Sequence, residues 1–199
     1  MPVPEHNITA ILLAAGPSSR LGQAKQLVQC KGQSLVRKSV RLLQSLEPGE
    51  IIVVTGCESE RVEQEIADLP VEVIYNRRWE QGMGASIACG ARQAAKSADG
   101  VLLMVCDQWL LETDDLSRLV SAWLADISRI YVACWFEGKA HVSGPPVLFP
   151  RKIIRELKYV HESRGARQVI DNNMDMVEFV TMENAAFDVD RPEDLEELP

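Results

Sequence analysis

The sequence predicts a doubly wound α/β fold, in which helices cover both faces of a mostly parallel sheet. Short apolar segments at residues 8–13, 51–55, 71–75 and 101–105 are typical of strands. Segments with helical periodicity separate them, and such alternation is characteristic of parallel strands joined by crossover helices. The segment at residues 101–105 is apolar throughout, as expected of a central strand that is covered on both faces.

The connecting segments are predicted as helices at residues 34–46, 59–68 and 85–95. Beyond Trp109 the order changes, with a helix near residues 114–125, a strand near 130–135, an extended segment at 144–150, two further helical stretches and a strand near 177–181. We therefore expect the second part of the chain to add a mixed sheet with an inserted hairpin or helices. A length of 199 residues suits a single domain.

Composition narrows the functional classes. The formal net charge of −8 argues against a nucleic-acid surface. The N-terminal segment lacks the basic start and apolar core of a signal peptide, and no apolar run approaches the roughly 20 residues of a membrane span. We expect a monomeric cytoplasmic protein that binds neither nucleic acid nor membrane. The five cysteines form no C-x-x-C pair and the three histidines are dispersed, so any bound metal should be a hard cation held by carboxylates.

The segment after the first strand, residues 13–25, has the chemistry of a phosphate-binding loop. Gly16 allows a tight turn that exposes backbone N–H groups, while Arg20 and Lys25 supply positive charge. The segment lacks the Gly-Lys-Ser/Thr ending of a Walker loop, and the chain contains no G-x-G-x-x-G fingerprint. An ordinary strand-to-helix loop with incidental charges is the alternative.

Acidic residues follow at two places where they could hold a cation. Asp107 comes directly after the apolar fourth strand, at the sheet edge where ligands of parallel sheets bind. Asp188 and Asp190 lie two residues apart, so in an extended segment both carboxylates point the same way. Helix capping is the alternative for Asp107, and a helix start before Pro192 is the alternative for the acidic pair.

Six motifs together carry a family resemblance. They are the loop at residues 13–25, Asn76-x-x-Trp79-x-x-Gly82-Met83, Cys106-Asp107-Gln108, Gly144-Pro-Pro-Val-Leu-Phe-Pro150, Arg164-Gly-Ala-Arg167 and Asp188-x-Asp190-x-Pro192-Glu-Asp-Leu195. In this order they resemble the MobA-like nucleotidyltransferases, and within them the molybdenum cofactor cytidylyltransferases (MocA-like). The resemblance spans nearly the whole chain.

The resemblance implies a glycosyltransferase-A-type, Rossmann-like fold in one domain over residues 1–199. It implies a nucleotide-binding half at about residues 7–110 and an acceptor side at about 111–199. The implied reaction is transfer of CMP from CTP to the terminal phosphate of molybdopterin or the molybdenum cofactor, with Mg²⁺ as cofactor and release of pyrophosphate. Ala14-Ala15-Gly16 favours CTP, because relatives that use GTP tend to carry Ala-Gly-Gly there. A transient contact with a molybdenum hydroxylase or its chaperone is also implied.

The residues and the resemblance together assign candidate roles. The catalytic candidates are Arg20, Lys25 and Asp107, and the metal candidates are Asp107, Asp188 and Asp190. The acceptor candidates are Trp79, Gly144, Pro145, Arg164 and Arg167, although Trp79 could equally be a packing residue. The nucleotide candidates are Leu13, Ala14, Ala15, Gly16, Ser18, Ser19, Arg20, Lys25, Asn76, Gly82 and Ser86.

Two departures from the family pattern concern the acceptor half. Trp109 stands where relatives commonly have proline, and Glu162-Ser163 stands where they have Gly-Asp. Other functions therefore stay open: a transferase that uses another NTP or a sugar or other small-molecule phosphate, or a non-catalytic cofactor-delivery protein for a molybdenum hydroxylase. A plain NAD-binding domain is disfavoured by the missing fingerprint glycines.

Overall fold

The computed structural model describes residues 6–94 and 98–199. The first five residues, on which part of the signal-peptide expectation rests, lie outside this range, as does Ala95, the predicted last residue of the third helix. Within the described part of the chain, no helix combines the length and the apolar character needed to cross a membrane.

Seven strands form one continuous sheet, and their order confirms the predicted α/β class. The order is β5-β4-β1-β6-β8-β7-β9, and β8 runs antiparallel to both of its neighbours while the other pairs are parallel. A separate two-stranded hairpin consists of β2 and β3. The strands are β1 (Ile8–Ala14), β2 (Gln29–Cys30), β3 (Gln33–Ser34), β4 (Glu50–Thr55), β5 (Glu72–Tyr75), β6 (Gly100–Val105), β7 (Ile130–Glu137), β8 (Ala140–Pro150) and β9 (Val177–Thr181).

In the described part of the chain, six α-helices cover the two faces of the sheet. They are α1 (Leu35–Gln44), α2 (Ser59–Ile66), α3 (Met83–Gln93), α4 (Thr113–Ala125), α5 (Arg151–Leu157) and α6 (Ala166–Asn172). Buried side chains of α1, α2 and α4 form one core layer, and those of α3, α5 and α6 form the other. Strand β1 contributes side chains to both layers: Leu12 packs in the first layer and Leu13 in the second, because successive side chains of a strand point to opposite faces.

Helix α1 shows how local sequence sets these elements. Its N-cap, Ser34, accepts a hydrogen bond from the backbone N–H of Arg37 at 3.3 Å, which satisfies one donor of the first turn. Val36, Val40 and Leu43 recur at helical spacing and are fully buried against the sheet. The charged residues Arg37, Lys38 and Arg41 stay outside the core, whereas Ser39 is buried and donates to the Cys106 carbonyl at 3.4 Å.

The predicted segment at residues 144–150 is the second part of the longer strand β8. Val147 pairs with Val132, and Gly144 pairs with Ala133, so that the ladder shifts register between these pairs. Pro145 and Pro146 occupy the interval, where the missing proline N–H breaks no ladder hydrogen bond. The proline and glycine residues of β8 have low strand propensity, so propensity alone does not predict a strand here. Strands β7 and β8 form a hairpin, one of the two kinds of insertion expected for this part of the chain.

The strand order places a ligand crevice between β1 and β6. Strands β4 and β5 extend the sheet on one side of β1, while β6 lies on the other side. The loops that follow β1 and β6 therefore leave in different directions, and an open crevice forms at the carboxyl ends of these strands. The phosphate-loop segment follows β1, and Asp107 follows β6.

Candidate active site

The loop after β1 turns at Ser18 and Gly22 and not at Gly16. Ser18 has a φ of 53° and Gly22 a φ of 76°, and the Ser18 carbonyl accepts hydrogen bonds from the N–H groups of Leu21 at 3.1 Å and Gly22 at 3.2 Å. The prediction that Gly16 makes the tight turn is therefore wrong. A Cβ atom built on Gly16 would meet no protein atom within 4 Å, so this glycine keeps space open beside the loop.

Gln26 braces the loop, and the sequence reasoning missed it. Its buried amide donates to the carbonyl of Ala14 at 3.0 Å and to that of Gly16 at 2.8 Å. The backbone N–H of Lys25 also donates to the Ser18 hydroxyl, at 3.0 Å. A polar side chain directly after a candidate phosphate-binding lysine was the signal available, but its burial depends on tertiary structure. These bonds fold the loop back on itself and carry Lys25 toward the end of β6.

The three predicted metal carboxylates come together. Val189 donates its N–H to the Asp107 carbonyl at 3.1 Å, and Gln108 pairs with Asp188 in an isolated antiparallel bridge, which clips the acidic segment to the end of β6. Carboxylate oxygens of Asp107, Asp188 and Asp190 lie within 4.8 Å of one another. Three hard oxygen donors at this spacing are the ligand type of a divalent cation such as Mg²⁺ or Mn²⁺.

The capping alternatives are not what these side chains do in the structure. Glu112 is the N-cap of α4, five residues beyond Asp107. Asp194, and not Asp190, accepts the N–H groups that open the last 3-10 helix, from Asp190 at 2.8 Å and from Arg191 at 2.7 Å.

Cationic side chains of the loop lie against the carboxylates. The ammonium of Lys25 contacts the Asp107 carboxylate and lies 3.1 Å from Asp190 Oδ1, while Arg20 Nη1 lies 3.0 Å from Asp190 Oδ2. Burial lowers the pKa of Lys25, but the charge of Asp107 and the hydrogen bonds to Asp107 and Asp190 outweigh burial, so its pKa is raised overall. Lys25 is therefore a permanent cation between loop and carboxylates.

The carboxylates also carry the signature of a site that needs a further cation. Burial raises the pKa of Asp188, and the negative charges of Asp107 and Asp190 raise it further. Asp107 Oδ1 is buried and has no hydrogen-bond partner among the described residues. An ionised carboxylate oxygen without a partner is costly, and a coordinated metal ion would satisfy it. The donor set therefore fits a divalent cation.

A cavity of about 220 Å³ lies beside Lys25 and Asp107. It is smaller than three other surface cavities, but it alone among these four is lined by residues of the loop and by Asp107. Eight predicted site residues line it: Leu13, Ala15, Gly16, Lys25, Trp79, Gly82, Ser86 and Asp107. Pro17, Met83 and Val105 line it too and were not predicted.

The wall opposite the loop is built by the residues after β5. Asn76 does not line the cavity; it is buried behind it, where its amide donates to the Ser86 hydroxyl at 3.0 Å and its carbonyl oxygen accepts from the N–H of Arg78 at 3.0 Å. Trp79 lines the cavity and also packs over Gly56, where a Cβ would lie 2.6 Å from the Trp79 Cβ. The packing and recognition interpretations of Trp79 are thus compatible.

Other predicted residues lie around the cavity without lining it. Ala14 places its side chain in the opposite core layer, Ser18 is hydrogen-bonded within the loop, and Ser19 is exposed beside Arg20.

Of the predicted acceptor residues other than Trp79, Gly144 and Pro145 lie in β8, and Arg164 and Arg167 lie at or just before the start of α6. Pro145 is tied to the site because its carbonyl accepts a hydrogen bond from the buried Gln108 amide at 2.7 Å. Arg167 donates to the Ser143 hydroxyl at 3.3 Å, next to Gly144. Arg164 is exposed and, like Arg167, pairs with Asp171 at 2.9 Å; among the described residues neither arginine forms an ion pair with the carboxylate cluster. Gln108 belongs to one of the family motifs, but the sequence analysis assigned it no role. In the structure it connects the Pro145 wall to the segment that carries the carboxylates.

Comparisons with known proteins agree with this geometry. PucB, the purine catabolism protein of Bacillus subtilis, is 28% identical over 172 residues, which cover 82% of this chain and 80% of PucB. The nicotine blue oxidoreductase of Paenarthrobacter nicotinovorans is 30% identical over 57% of this chain and 55% of its own length. The crystal structure of Rv0371c from Mycobacterium tuberculosis superposes with a TM-score of 0.84 at 24% identity and covers 96% of both chains.

The family model described as "MobA-like NTP transferase domain" matches residues 10–177. That range contains the phosphate loop, the cavity and Asp107, and it ends just before the segment that carries Asp188 and Asp190. The matched sequence and the nucleotidyltransferase-type sheet lead to one conclusion: this chain belongs to the family of MobA-like NTP transferase domains.

Proposed function

We propose that this protein transfers CMP from CTP to the terminal phosphate of molybdopterin or the molybdenum cofactor and releases pyrophosphate. The observation that carries the proposal is the meeting of the loop cations Arg20 and Lys25 with the carboxylates of Asp107 and Asp190 at one edge of the sheet. Transfer of a nucleotidyl group depends on positioning and charge neutralisation more than on a protein nucleophile. The cations and carboxylates of this site would supply both positioning and charge neutralisation.

The loop would hold the triphosphate. Its exposed backbone N–H groups around residues 16–20 and the side chains of Arg20 and Lys25 would contact the phosphate oxygens. Asp107, Asp188 and Asp190 would hold Mg²⁺, which supplies charge neutralisation at the α-phosphate when bound. An oxygen of the acceptor phosphate then forms a bond to the α-phosphorus, the bond from that phosphorus to the bridging oxygen breaks, and its electron pair leaves with pyrophosphate.

The two halves of the chain would divide the substrates. In this proposal residues 7–110 bind the nucleotide and residues 111–199 contribute the acceptor side with Gly144, Pro145, Arg164 and Arg167. Trp79 stands between them, on the wall of the cavity. The loop residues Ala14-Ala15-Gly16 support CTP as the nucleotide through the family resemblance.

Support for the acceptor comes from the MocA-like motifs and from PucB, whose name assigns that relative to purine catabolism. A purine hydroxylase that carries molybdenum is the class of enzyme that would use the product. In the same proposal the protein is cytoplasmic and monomeric, and it contacts the hydroxylase or its chaperone transiently. Another NTP, a sugar or small-molecule phosphate acceptor, or a delivery role without catalysis are the competing functions.

Pyrophosphate release distinguishes these functions. The purified protein is incubated with Mg²⁺ and with CTP, GTP, ATP or UTP, in each case with molybdopterin, with a sugar 1-phosphate or with no acceptor. We expect release with CTP and molybdopterin. Release with a sugar 1-phosphate would assign the alternative acceptor, and nucleotide binding without release would favour the delivery role.

A further inference from the structure

A second cavity, which shares no lining residue with the cavity beside Lys25 and Asp107, lies between α1 and the segment at the start of α4. Its volume is about 500 Å³, within the range of small-molecule sites. One wall carries Lys31, Lys38 and Arg41, and the facing wall begins at Trp109. The remaining lining residues are Cys30, Leu42, Leu110, Leu111, Glu112, Thr113 and Asp114.

The three cations on this wall have unused hydrogen-bonding capacity. Among the described residues, the ion pairs within 4 Å involve none of them. Lys38 donates to the Leu111 carbonyl at 3.1 Å, and Arg41 donates to Gln33 Oε1 at 3.3 Å. An ammonium has three donors and a guanidinium five, so both groups can bind an anion as well.

Burial makes Lys38 the central group of this wall. Its side chain is half-buried, and burial lowers its pKa; the charge of Lys31 lowers the pKa further, and the charge of Glu112 offsets this only in part. A bound anion would relieve this desolvation. Glu112 and Asp114 on the facing wall oppose anion binding, but they are fewer than the three cations, and both are exposed at the start of α4.

Trp109 gives the cavity an aromatic surface. It is partly buried against a small apolar cluster that includes Leu21, Cys30 and Val189, and its backbone N–H donates to the Phe187 carbonyl at 3.2 Å. Trp109 replaces the proline of the family pattern, and it lines this cavity and not the one beside Asp107. The replacement of proline by Trp109 therefore alters the lining of this second cavity and not the lining of the cavity beside Asp107.

We propose that this cavity binds a small organic anion with an aromatic ring, whose charged group contacts Lys38, Lys31 and Arg41 and whose ring packs on Trp109. Charge-assisted hydrogen bonds and aromatic packing supply the two parts of its recognition. This cavity shares no lining residue with the cavity beside Lys25 and Asp107.

The test uses phenyl phosphate as the probe and the indole N–H resonances of the intact protein as the readout. The chain has four tryptophans, and Trp109→Phe identifies the resonance of Trp109. We expect saturable shifts of this resonance, competition by inorganic phosphate, and no comparable shift with neutral benzyl alcohol. Lys38→Gln and Arg41→Gln should each weaken binding about tenfold, the effect of one lost charge-assisted contact.

Controls separate this site from other causes. Lys38→Arg keeps the charge and should bind, Lys139→Gln changes an exposed lysine between β7 and β8 and should have no effect, and Lys25→Ala should leave the Trp109 response intact. An unshifted Trp109 resonance in a folded protein would overturn the proposal. The proposal would also be overturned if the Lys38→Gln and Arg41→Gln proteins bound phenyl phosphate as tightly as the wild-type protein does. Loss of the Trp109 shift in the Lys25→Ala protein would overturn it as well.

Discussion

At the scale of single residues, the site depends on charges that the chain brings together from distant positions. Lys25 and Asp107 are 82 positions apart, and Lys25 and Asp190 are 165 apart, yet one ammonium contacts both carboxylates. Each side chain could be named from its local motif. Their mutual contacts follow from the loop brace at Gln26 and from the clip between Gln108 and Asp188.

Asp107→Asn should lower metal-dependent pyrophosphate release by at least ~100-fold, because the amide keeps the shape and removes the charge that would hold the cation. Turnover across a Mg²⁺ titration measures this effect. Asp175→Asn, at an exposed position just before β9 begins, is the matched control and should retain activity. Full activity of Asp107→Asn at every Mg²⁺ concentration would make Asp107 a structural residue.

Lys25→Ala and Arg20→Ala should each lower turnover by about 100-fold or more, because each removes a charge-assisted phosphate contact. The loss should be larger for Lys25, whose side chain is 20% exposed against 71% for Arg20, since a partly buried charge is screened less by water. Steady-state kinetics beside thermal melts provide the measurement, with Lys139→Ala as the control. Wild-type turnover in both variants would contradict the role of the loop.

Ala15 tests the nucleotide preference. This residue is among those that line the cavity, and we expect the wild-type protein to use CTP at least ~10-fold better than GTP by kcat/KM, because a methyl group at this position would limit the room for a purine. Ala15→Gly should narrow the difference. Ala14→Gly is the control, since Ala14 faces the opposite core layer. Equal use of GTP by the wild-type protein would remove the cytidylyl assignment and leave the transferase fold untouched.

At the scale of elements, close backbone approaches decide how the cavity wall is built. The start of α3 docks on the loop that precedes α6, where Gly84 donates its N–H to the Glu162 carbonyl at 3.0 Å. A Cβ atom on Gly84 would lie 2.2 Å from the His161 carbonyl oxygen. The small-residue helix was predicted from sequence, but the partner that requires its glycine was not, because that partner is distant in the chain.

Gly84→Ala should therefore lower the free energy of unfolding by ~1–3 kcal/mol, because backbone must move to admit the methyl group. Gly16→Ala is the matched substitution in open space and should keep the stability of the wild-type protein while it weakens nucleotide binding, since its methyl group enters the cavity. Denaturant unfolding and nucleotide titration measure the two effects. A Gly84→Ala protein of wild-type stability would contradict the docked geometry.

An ion pair joins helix α1 to the residues just after α2, and its strength should depend on pH. Arg37 donates two hydrogen bonds of 2.6 Å to the Asp68 carboxylate, and this contact lowers the Asp68 pKa from 3.8 to about 2. Because folding lowers the pKa of the Asp68 carboxyl, the ion pair stabilises the folded state at any pH above the pKa that Asp68 has in the unfolded chain. This stabilisation is lost as the pH falls from about 4 toward 2.

Asp68→Asn should accordingly have a lower Tm than the wild-type protein near pH 7, and the difference should shrink near pH 3, where the wild-type contact weakens. Thermal melts at both pH values measure it. Glu58→Gln, which removes the exposed Glu58–Arg61 pair within α2, should change the Tm less, because exposed pairs within one helix contribute little. A Tm difference that grows toward low pH would have the wrong sign for this mechanism.

At the scale of the whole molecule, the strand order makes the site. The sheet continues from β1 in both directions, so the loops after β1 and β6 open a crevice between them. The hairpin of β7 and β8 then brings Pro145 to the same edge, where Gln108 fixes it. The cations of Arg20 and Lys25 thereby lie together at this edge of a protein whose formal net charge is −8.

The sequence by itself determined the α/β class and the family, and it predicted a phosphate-binding loop and metal-binding carboxylates, whose roles stay predictions. These are local signals, because strand and helix periodicity, loop composition and motif order are all written within short segments. The tertiary structure decided what depends on distant contacts. It buried Gln26 and Gln108 as braces, moved the turn from Gly16 to Ser18 and Gly22, and placed Trp109 in a separate cavity. Such outcomes depend on which backbone groups meet across the fold, and no short segment encodes that.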